Sequence, residues 1–136
     1  MIFIDAYIIM YAAGRDHPYK APCLRALELI EEGQLPAVAD VEVLQEILYR
    51  YWHIGELEKG LRLYDDFEAL MPEIFDVTLR DVDRARSLMR KRRALPPRDA
   101  VHVAVMLNHR VREILSVDTD FDTIAGIRRI DPAHLV

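Results

Sequence analysis

The sequence predicts an α/β fold of three layers, α/β/α, in which helices cover both faces of a five-stranded parallel sheet. Two observations support this class. Short apolar runs recur along the chain, and segments whose apolar residues follow the helical period separate most of these runs. Strands separated by helices require right-handed crossovers, which produce parallel pairing. The length of 136 residues, with 51% hydrophobic and 30% charged residues, indicates one globular domain over residues 1–136.

In the first half of the chain, most predicted elements begin or end at a residue that interrupts regular structure. Pro22 and Gly33 delimit the first helix, Asp40 occupies the N-cap position of the second, and Pro72 ends the third. The predicted elements are a strand over 2–4, a helix between 22 and 33, a strand over 35–39, a helix over 41–52 and a helix over 56–70. The apolar stripe predicted for the second helix consists of Val41, Leu44, Leu48 and Tyr51.

In the second half, Pro96 and Pro97 introduce the most apolar helical segment, RDAVHVAVMLNH. Because this segment is apolar on nearly every side, it is expected to pack directly on the sheet. The predicted elements are a strand over 74–77, a helix from 81 to about 93, a helix over 98–109, and strands over 113–117 and 127–130.

Acidic residues occur where predicted strands and helices meet. Asp5 directly follows the first strand and Asp118 the fourth, and functional sites of open α/β sheets lie beyond the carboxyl ends of the strands. Glu46 lies on the helix after the second strand, and Asp99 opens the helix that leads to the fourth. We therefore expect one acidic cluster, formed by Asp5, Glu46, Asp99 and Asp118, with Glu42 and Asp120 close by.

Such a cluster is expected to bind a cation, because neighbouring carboxylates repel one another. An all-oxygen ligand set suits Mg²⁺ or Mn²⁺, and one or two ions are expected. Cys23 is the only cysteine, which excludes an internal disulfide and a cysteine-based zinc site, and the five histidines show no metal-ligand spacing. Cys23 is expected to be a small buried apolar residue, and His102 a hydrogen-bonded core histidine.

Most of these carboxylates also have a structural interpretation. Asp99 is placed to cap its helix, and Glu42 and Glu46 fit a solvated face near the positive end of theirs. The two aspartates within 118–120 fit a turn. Asp5 is harder to explain in this way, since a carboxylate at the end of a buried strand seldom stabilises a fold.

The basic residues are unevenly distributed. A net charge of −5 argues against a protein that coats nucleic acid through bulk charge. Between residues 80 and 98, however, eight basic residues outnumber two acidic ones, a local charge of +6. This stretch leads into Asp99, and Arg92, Arg93 and Arg98 are interpreted as contacts for RNA phosphates or an acidic partner, with a solvated helix face as the alternative.

Four segments resemble, in order and approximate spacing, the PIN domain family, particularly the VapC-type toxins of prokaryotic toxin–antitoxin pairs: MIFIDAYIIMYAAG, ADVEVLQEILYRYW, RDAVHVAVMLNH and ILSVDTDFD. The resemblance covers the whole chain. It implies a five-stranded parallel sheet and Mg²⁺- or Mn²⁺-dependent endoribonuclease activity. Metal-assisted hydrolysis needs no 2′-hydroxyl, so the choice of RNA over DNA rests on the resemblance alone.

By position, the resemblance assigns the family's functional residues to this chain. The four acids fall on Asp5, Glu46, Asp99 and Asp118. Asp120 matches an additional acid that often precedes a phenylalanine, and Ser116 matches the hydroxyl two residues before the fourth acid. Tyr7 departs from the pattern, because a small polar residue usually stands two positions after the first acid.

The chemistry expected of this site follows from its charges. A cation held by Asp5 and Asp118 lowers the pKa of a bound water and binds the scissile phosphate, while a second ion would stabilise the leaving oxygen. Asp99 is expected to bind the same or the second ion, and Glu46 to coordinate metal or orient water. The further candidate ligands are Glu42 and Asp120.

The expected partners are an RNA substrate, a cognate antitoxin and a second copy of the chain. A homodimer is expected because the apolar helical surface exceeds what one side of a small sheet requires. The apolar residues in question are Leu24, Leu27, Leu44, Leu48, Tyr51, Trp52, Leu61 and Tyr64. Neither a signal peptide nor a membrane span is expected, and the single cysteine fits a cytoplasmic location.

Three other functions fit parts of the sequence. A housekeeping RNA-processing PIN nuclease shares the whole resemblance. An inactive PIN scaffold that binds RNA or protein is favoured by Tyr7 and opposed by the four acids. A signalling receiver domain also has a five-stranded parallel sheet, but it requires paired acids after the first strand and a lysine after the fifth, whereas Asp5 is alone and the segment IRRIDP contains no lysine.

Overall fold

The strands of this protein form one fully parallel sheet in the order β3-β2-β1-β4-β5. The structure is a computed structural model that describes residues 1–135. The strands are β1 (Ile2–Ile4), β2 (Ala37–Asp40), β3 (Ile74–Phe75), β4 (Glu113–Leu115) and β5 (Arg128–Ile130). The predicted α/β fold with a five-stranded parallel sheet is thereby confirmed.

Six α-helices lie within residues 1–135, and neighbouring helices pack in pairs: α1 with α2, α3 with α4, and α5 with α6. They are α1 (Ala6–Ala13), α2 (Lys20–Glu31), α3 (Val41–His53), α4 (Leu57–Leu70), α5 (Leu79–Lys91) and α6 (Pro97–Asn108). Short 3-10 turns cover Thr119–Thr123 and Pro132–His134. Within the same residues, no helix has the length and apolar character that a membrane crossing requires.

The two central strands position the functional edge of the sheet. Side chains on both faces of β1 and β4 are fully buried, including Phe3, Ile4 and Ile114, as expected for parallel strands covered by helices. Asp5 follows β1 and Ser116 follows β4, and the Asp5 backbone N–H donates to the carbonyl of Leu115 at 3.2 Å. The carboxyl ends of the two strands are therefore held side by side.

Helix α1 was not predicted, because its sequence AYIIMYAA has almost no polar positions and so no amphipathic period. It buries Ala6, Ile8, Ile9 and Ala12. Asp5 stands at its N-cap position without a side-chain capping bond. The carboxylate of Asp5 thus makes no capping bond to α1 and is available for other contacts.

Two predicted helix starts are wrong. Helix α2 begins at Lys20 rather than after Pro22, because a proline is tolerated in the first turn, where its missing N–H would have no intrahelical partner. Helix α5 begins at Leu79 rather than Asp81, because Thr78 and Asp81 form a capping box, with the Thr78 N–H donating to Asp81 Oδ2 at 2.8 Å. Asp81 is therefore a residue of the first turn.

The apolar stripe of α3 also differs from the prediction. Val41 is 39% exposed, and Val43 and Ile47 are fully buried beside Leu44. Helix α4 approaches α3 closely at Gly60, where an added Cβ would lie 2.5 Å from the Cβ of Tyr51. This contact fixes the start of α4 against the end of α3.

Candidate active site at the carboxyl ends of the strands

One hydroxyl group joins the two acids that follow the central strands. Ser116 is fully buried, and its Oγ donates to Asp5 Oδ2 at 2.6 Å. The same Oγ accepts from the backbone N–H of Asp118 at 3.0 Å. Ser116 therefore fixes one oxygen of Asp5 and the start of the Asp118 loop, as expected for a residue that supports the site.

Asp118 has a structural role as well as a position at the site. It is partly buried, and its Oδ1 accepts from the Asp120 N–H at 2.9 Å, which caps the 3-10 turn. Asp118 therefore stabilises a turn through Oδ1, as the structural interpretation predicts, and its Oδ2 is not used in this bond. Asp120 is exposed, so it lies at the rim of this loop.

The charges that act on Asp99 indicate that it lies near the other three predicted acids. The pKa of Asp99 is raised from 3.8 to about 6, first by burial and then by the negative charges of Asp5, Asp118 and Glu46, while the positive charge of His102 opposes the rise. Asp99 lies in the first turn of α6 but makes no capping bond, so the capping interpretation is wrong. The helix carries this half-buried carboxylate toward the strand ends.

Asp5 is the most buried of the four predicted site acids, with 3% of its surface exposed. The pKa of Asp5 is raised from 3.8 to about 6, mainly by burial and to a lesser extent by the charge of Glu46, while the hydrogen bond from Ser116 and the charge of His102 oppose the rise. A buried carboxylate close to other carboxylates is under electrostatic strain in its charged form. A bound cation would relieve that strain.

A buried histidine holds Glu46, and the sequence did not reveal this contact. His102 has no exposed surface; its Nε2 donates to Glu46 Oε1 at 2.6 Å and its Nδ1 to Asp40 Oδ2 at 2.8 Å. Burial alone would lower the pKa of His102, but the charges and hydrogen bonds of Asp40 and Glu46 outweigh it and hold that pKa well above 6.5. This environment favours the charged form of His102, with both ring nitrogens donating, and His102 is the hydrogen-bonded core histidine that was expected.

The carboxylate of Asp40 makes two hydrogen bonds, of which only the N-cap bond was predicted. Its Oδ1 accepts from the Val43 N–H at 3.0 Å, the predicted N-cap bond, while Oδ2 pairs with His102. Asp99 and His102 are three residues apart on α6 and thus share a helix face. That spacing is the signal that would have linked His102 to the acidic cluster.

The remaining predicted residues are one acid, Glu42, and three arginines. Burial raises the pKa of Glu42, the charge of Glu46 adds to this rise, and the positive charges of His102 and Arg98 oppose it. Glu42 and Arg98 therefore stand beside the acids. Arg92 and Arg93 are exposed in the connection between α5 and α6 and extend the basic surface away from Arg98.

The donor chemistry of the site fits a hard divalent cation. Its predicted ligands are carboxylates, and burial together with the charges of neighbouring acids raises the pKa values of Asp5 and Asp99 toward neutrality. Among residues 1–135, however, no three histidine, cysteine, aspartate or glutamate side chains are already drawn together as a ligand set. Ser116 and His102 each occupy one oxygen of a predicted ligand. The residues therefore fit the ion chemically, and their role as ligands stays a prediction.

We expect Asp5 to destabilise the metal-free protein increasingly as the pH rises from about 4 to about 6. In this interval the folded state, with the pKa of Asp5 at about 6, binds more protons than the unfolded chain, where it is 3.8, so the free energy of unfolding falls. The loss is at most about 3 kcal/mol for Asp5. Melting temperatures of wild type and Asp5→Asn in chelator, measured from pH 4 to pH 7, should diverge in favour of the variant. A constant difference would show that Asp5 is not strained.

Comparisons with known proteins identify the family of the chain. Residues 2–127 match the family model described as the PIN domain. Ribonuclease VapC13 of Mycobacterium tuberculosis is 37% identical over 130 residues, which cover 96% of this chain and 99% of that protein.

Two solved structures share the fold. Mycobacterium tuberculosis VapC20, described as a toxin that cleaves the sarcin-ricin loop, has a TM-score of 0.75 at 15% identity, covering 94% of this chain and 99% of its own. A toxin–antitoxin complex from Klebsiella pneumoniae has a TM-score of 0.68 at 18% identity, covering 97% and 98%. Since the family match spans most of the sequence and the similarity to VapC13 nearly all of it, the chain belongs to the PIN domain family and to its VapC-type members.

Proposed function

We propose that this protein is a metal-dependent endoribonuclease, the toxin of a type II toxin–antitoxin pair, which acts in the cytoplasm. The observation that carries the proposal is the convergence of Asp5, Glu46, Asp99 and Asp118 at one edge of the sheet, where burial and mutual repulsion raise the pKa values of two of them. The relatives named as ribonucleases support RNA as the substrate, and the similarity to a toxin–antitoxin complex supports an antitoxin partner.

In this proposal, each acid has a defined task. Asp5 and Asp118 bind one Mg²⁺ or Mn²⁺ ion, Asp99 binds the same ion or a second, and Glu46 coordinates metal or orients the attacking water. A divalent ion held by these acids would supply Lewis-acid activation of the scissile phosphate and of the attacking water. Glu42 and Asp120 would be the candidate additional ligands.

The surrounding residues hold these acids in place. Ser116 orients Asp5 through the 2.6 Å hydrogen bond, and His102 orients Glu46 from the opposite side. Arg98, whose positive charge lowers the pKa of Glu42, is proposed to bind a phosphate next to the acids, and Arg92 and Arg93 to extend that contact. The substrate is therefore expected to approach over the start of α6.

The direct test is RNA cleavage under controlled metal conditions. A labelled single-stranded RNA and a labelled hairpin are incubated with the purified protein in Mg²⁺, in Mn²⁺ and in chelator. Cleavage that requires either ion supports the proposal. Cleavage that persists in chelator would contradict metal dependence, and intact RNA in every condition would contradict the ribonuclease.

We also propose a homodimer, with a surface that differs from the expected one. Leu44 and Tyr51 are 5% and 4% exposed, so they belong to the core and not to an interface. Trp52 is 63% exposed and Leu61 41%, and exposed apolar side chains at the end of α3 and the start of α4 extend this patch. These additional residues are Tyr49 and Leu57.

The expected result is a mass of about twice 15.8 kDa by light scattering at micromolar concentration. Trp52→Glu should shift the protein toward the monomer. Leu79→Glu, at an exposed apolar residue on α5, is the matched control and should leave the mass unchanged. A wild-type mass of 15.8 kDa would refute the dimer.

A further inference from the structure

A cavity of about 570 Å³ lies on the side of α1 that carries Tyr7. Its wall is formed by α1, the segment after it, the end of α3 and the start of α4. Tyr7 is only two residues beyond Asp5, so the cavity begins next to the most buried acid of the candidate active site. None of the acids of that site lines it.

Aromatic rings form one part of the lining. Tyr7 is 46% exposed, and its ring centroid lies 6.4 Å from that of Tyr11, one turn further along α1. The ring of Tyr11 lies 4.7 Å from that of His17. The three rings therefore make a strip that leads along α1 away from Asp5.

Positive charges form another part. Arg15, Arg50 and Lys59 line the cavity together with a single carboxylate, Glu56. Within the described residues 1–135, none of the three cations has a carboxylate oxygen within 4.0 Å. In a chain of net charge −5, a cavity with such an excess of cations is expected to attract an anion.

The combination of rings and cations selects the class of ligand. Single-stranded nucleic acid is bound by aromatic side chains that stack on bases and by cations that contact the backbone. A small inorganic anion would not need the rings, and an apolar peptide would leave three cations without partners. An RNA strand satisfies both parts of the lining at once.

We propose that this cavity is the subsite for an unpaired nucleotide next to the scissile phosphate, in which Tyr7 stacks on the base while Arg15 and Arg50 bind the adjoining phosphates. This inference rests on the proposed ribonuclease function. A base that is paired in a duplex is not free to stack on a side chain, so the subsite makes the enzyme prefer single-stranded segments.

The test measures RNA affinity in the Asp118→Asn background, which keeps the RNA intact. The probe is a fluorescein-labelled single-stranded decaribonucleotide, and the same strand annealed to its complement is the reference. Tyr7→Leu should weaken binding of the single strand by about 5- to 150-fold, the effect of removing one stacking platform. Tyr7→Phe, which keeps the ring, should bind as the parent does, and the duplex should show no difference between Tyr7→Leu and Tyr7→Phe.

Arg50→Gln supplies an independent measurement. It should weaken binding and reduce the salt dependence of the dissociation constant, because one phosphate contact is lost. Melting temperatures verify that each variant folds, which is expected at such exposed positions. If the wild type cleaves RNA but Tyr7→Leu and Arg50→Gln bind RNA as tightly as the parent, the proposed subsite is refuted and the proposed ribonuclease function is retained. The same RNA affinities with a loss of affinity for a protein partner would assign the cavity to that partner instead. If the wild type neither binds nor cleaves RNA, both proposals fail.

Discussion

Replacing Asp118 with asparagine is expected to reduce RNA cleavage at least about a thousandfold while the fold stays intact. The amide oxygen still accepts the hydrogen bond that Asp120 donates to Oδ1 at 2.9 Å, so the turn is preserved. What is lost is a negative charge at the predicted metal site. Because a bound metal ion supplies several kcal/mol of transition-state stabilisation, and about 1.4 kcal/mol corresponds to tenfold in rate, the activity falls steeply.

Initial cleavage rates in Mg²⁺ and Mn²⁺ measure this effect, and Asp122→Asn provides the matched control. Asp122 belongs to the same 3-10 turn, and its replacement by asparagine removes the same charge. Its carboxylate pairs with Arg129 at 2.9 Å rather than facing the acids. Its variant should keep an activity close to that of the wild type. Equal losses in both variants would mean that the turn, and not a metal ligand, was damaged.

Replacing His102 with leucine is expected to lower the free energy of unfolding by about 3–5 kcal/mol. The substitution removes the hydrogen-bond donor of two carboxylates, Asp40 with no exposed surface and Glu46 with 6%. Each carboxylate would then be a buried charge without its hydrogen-bond donor. An unpaired buried charge is strongly destabilising.

Urea unfolding at neutral pH measures this loss, with His53→Leu as the comparison. His53 is an exposed histidine at the end of α3, so its replacement should change stability by less than about 0.5 kcal/mol. Adding Glu46→Leu to His102→Leu removes one of the stranded charges and should restore part of the stability. A His102→Leu protein as stable as the wild type would show that the buried pairing contributes nothing.

The strands and the acid positions could be predicted because both depend on local pattern and on a general rule of sheet geometry. The run at 2–4 is bounded by Asp5 and forms the strand as predicted, and the carboxyl ends of parallel strands necessarily meet. Helix α1 escaped prediction because a helix that is apolar on nearly all sides has no periodic signal.

The support of the site could not be predicted in the same way. His102 and Asp40 are 62 residues apart in the chain, and Glu46 is 56 from His102, so only the packing of α6 against α3 brings them together. The cavity next to Tyr7 has the same origin, since it combines α1 with the ends of two later helices. The spacing of Asp99 and His102 places His102 on the helix face of an acid. No spacing in the sequence, however, identifies Asp40 and Glu46 as the partners of His102 or brings together the walls of the cavity.

The central claim is that the acids at the strand ends exist to bind a cation. The most direct measurement is a series of melting temperatures, with and without Mg²⁺ or Mn²⁺, on the wild type, Asp5→Asn and Asp118→Asn. A ligand that binds only the folded state stabilises it by mass action, so metal should raise the melting temperature of the wild type and do so much less in either variant. In chelator at pH 7, Asp5→Asn should be at least as stable as the wild type, because burial with its neighbours raises the pKa of Asp5 to about 6 and so disfavours its charged form. Equal metal shifts in all three proteins, or no shift in the wild type, would contradict the claim.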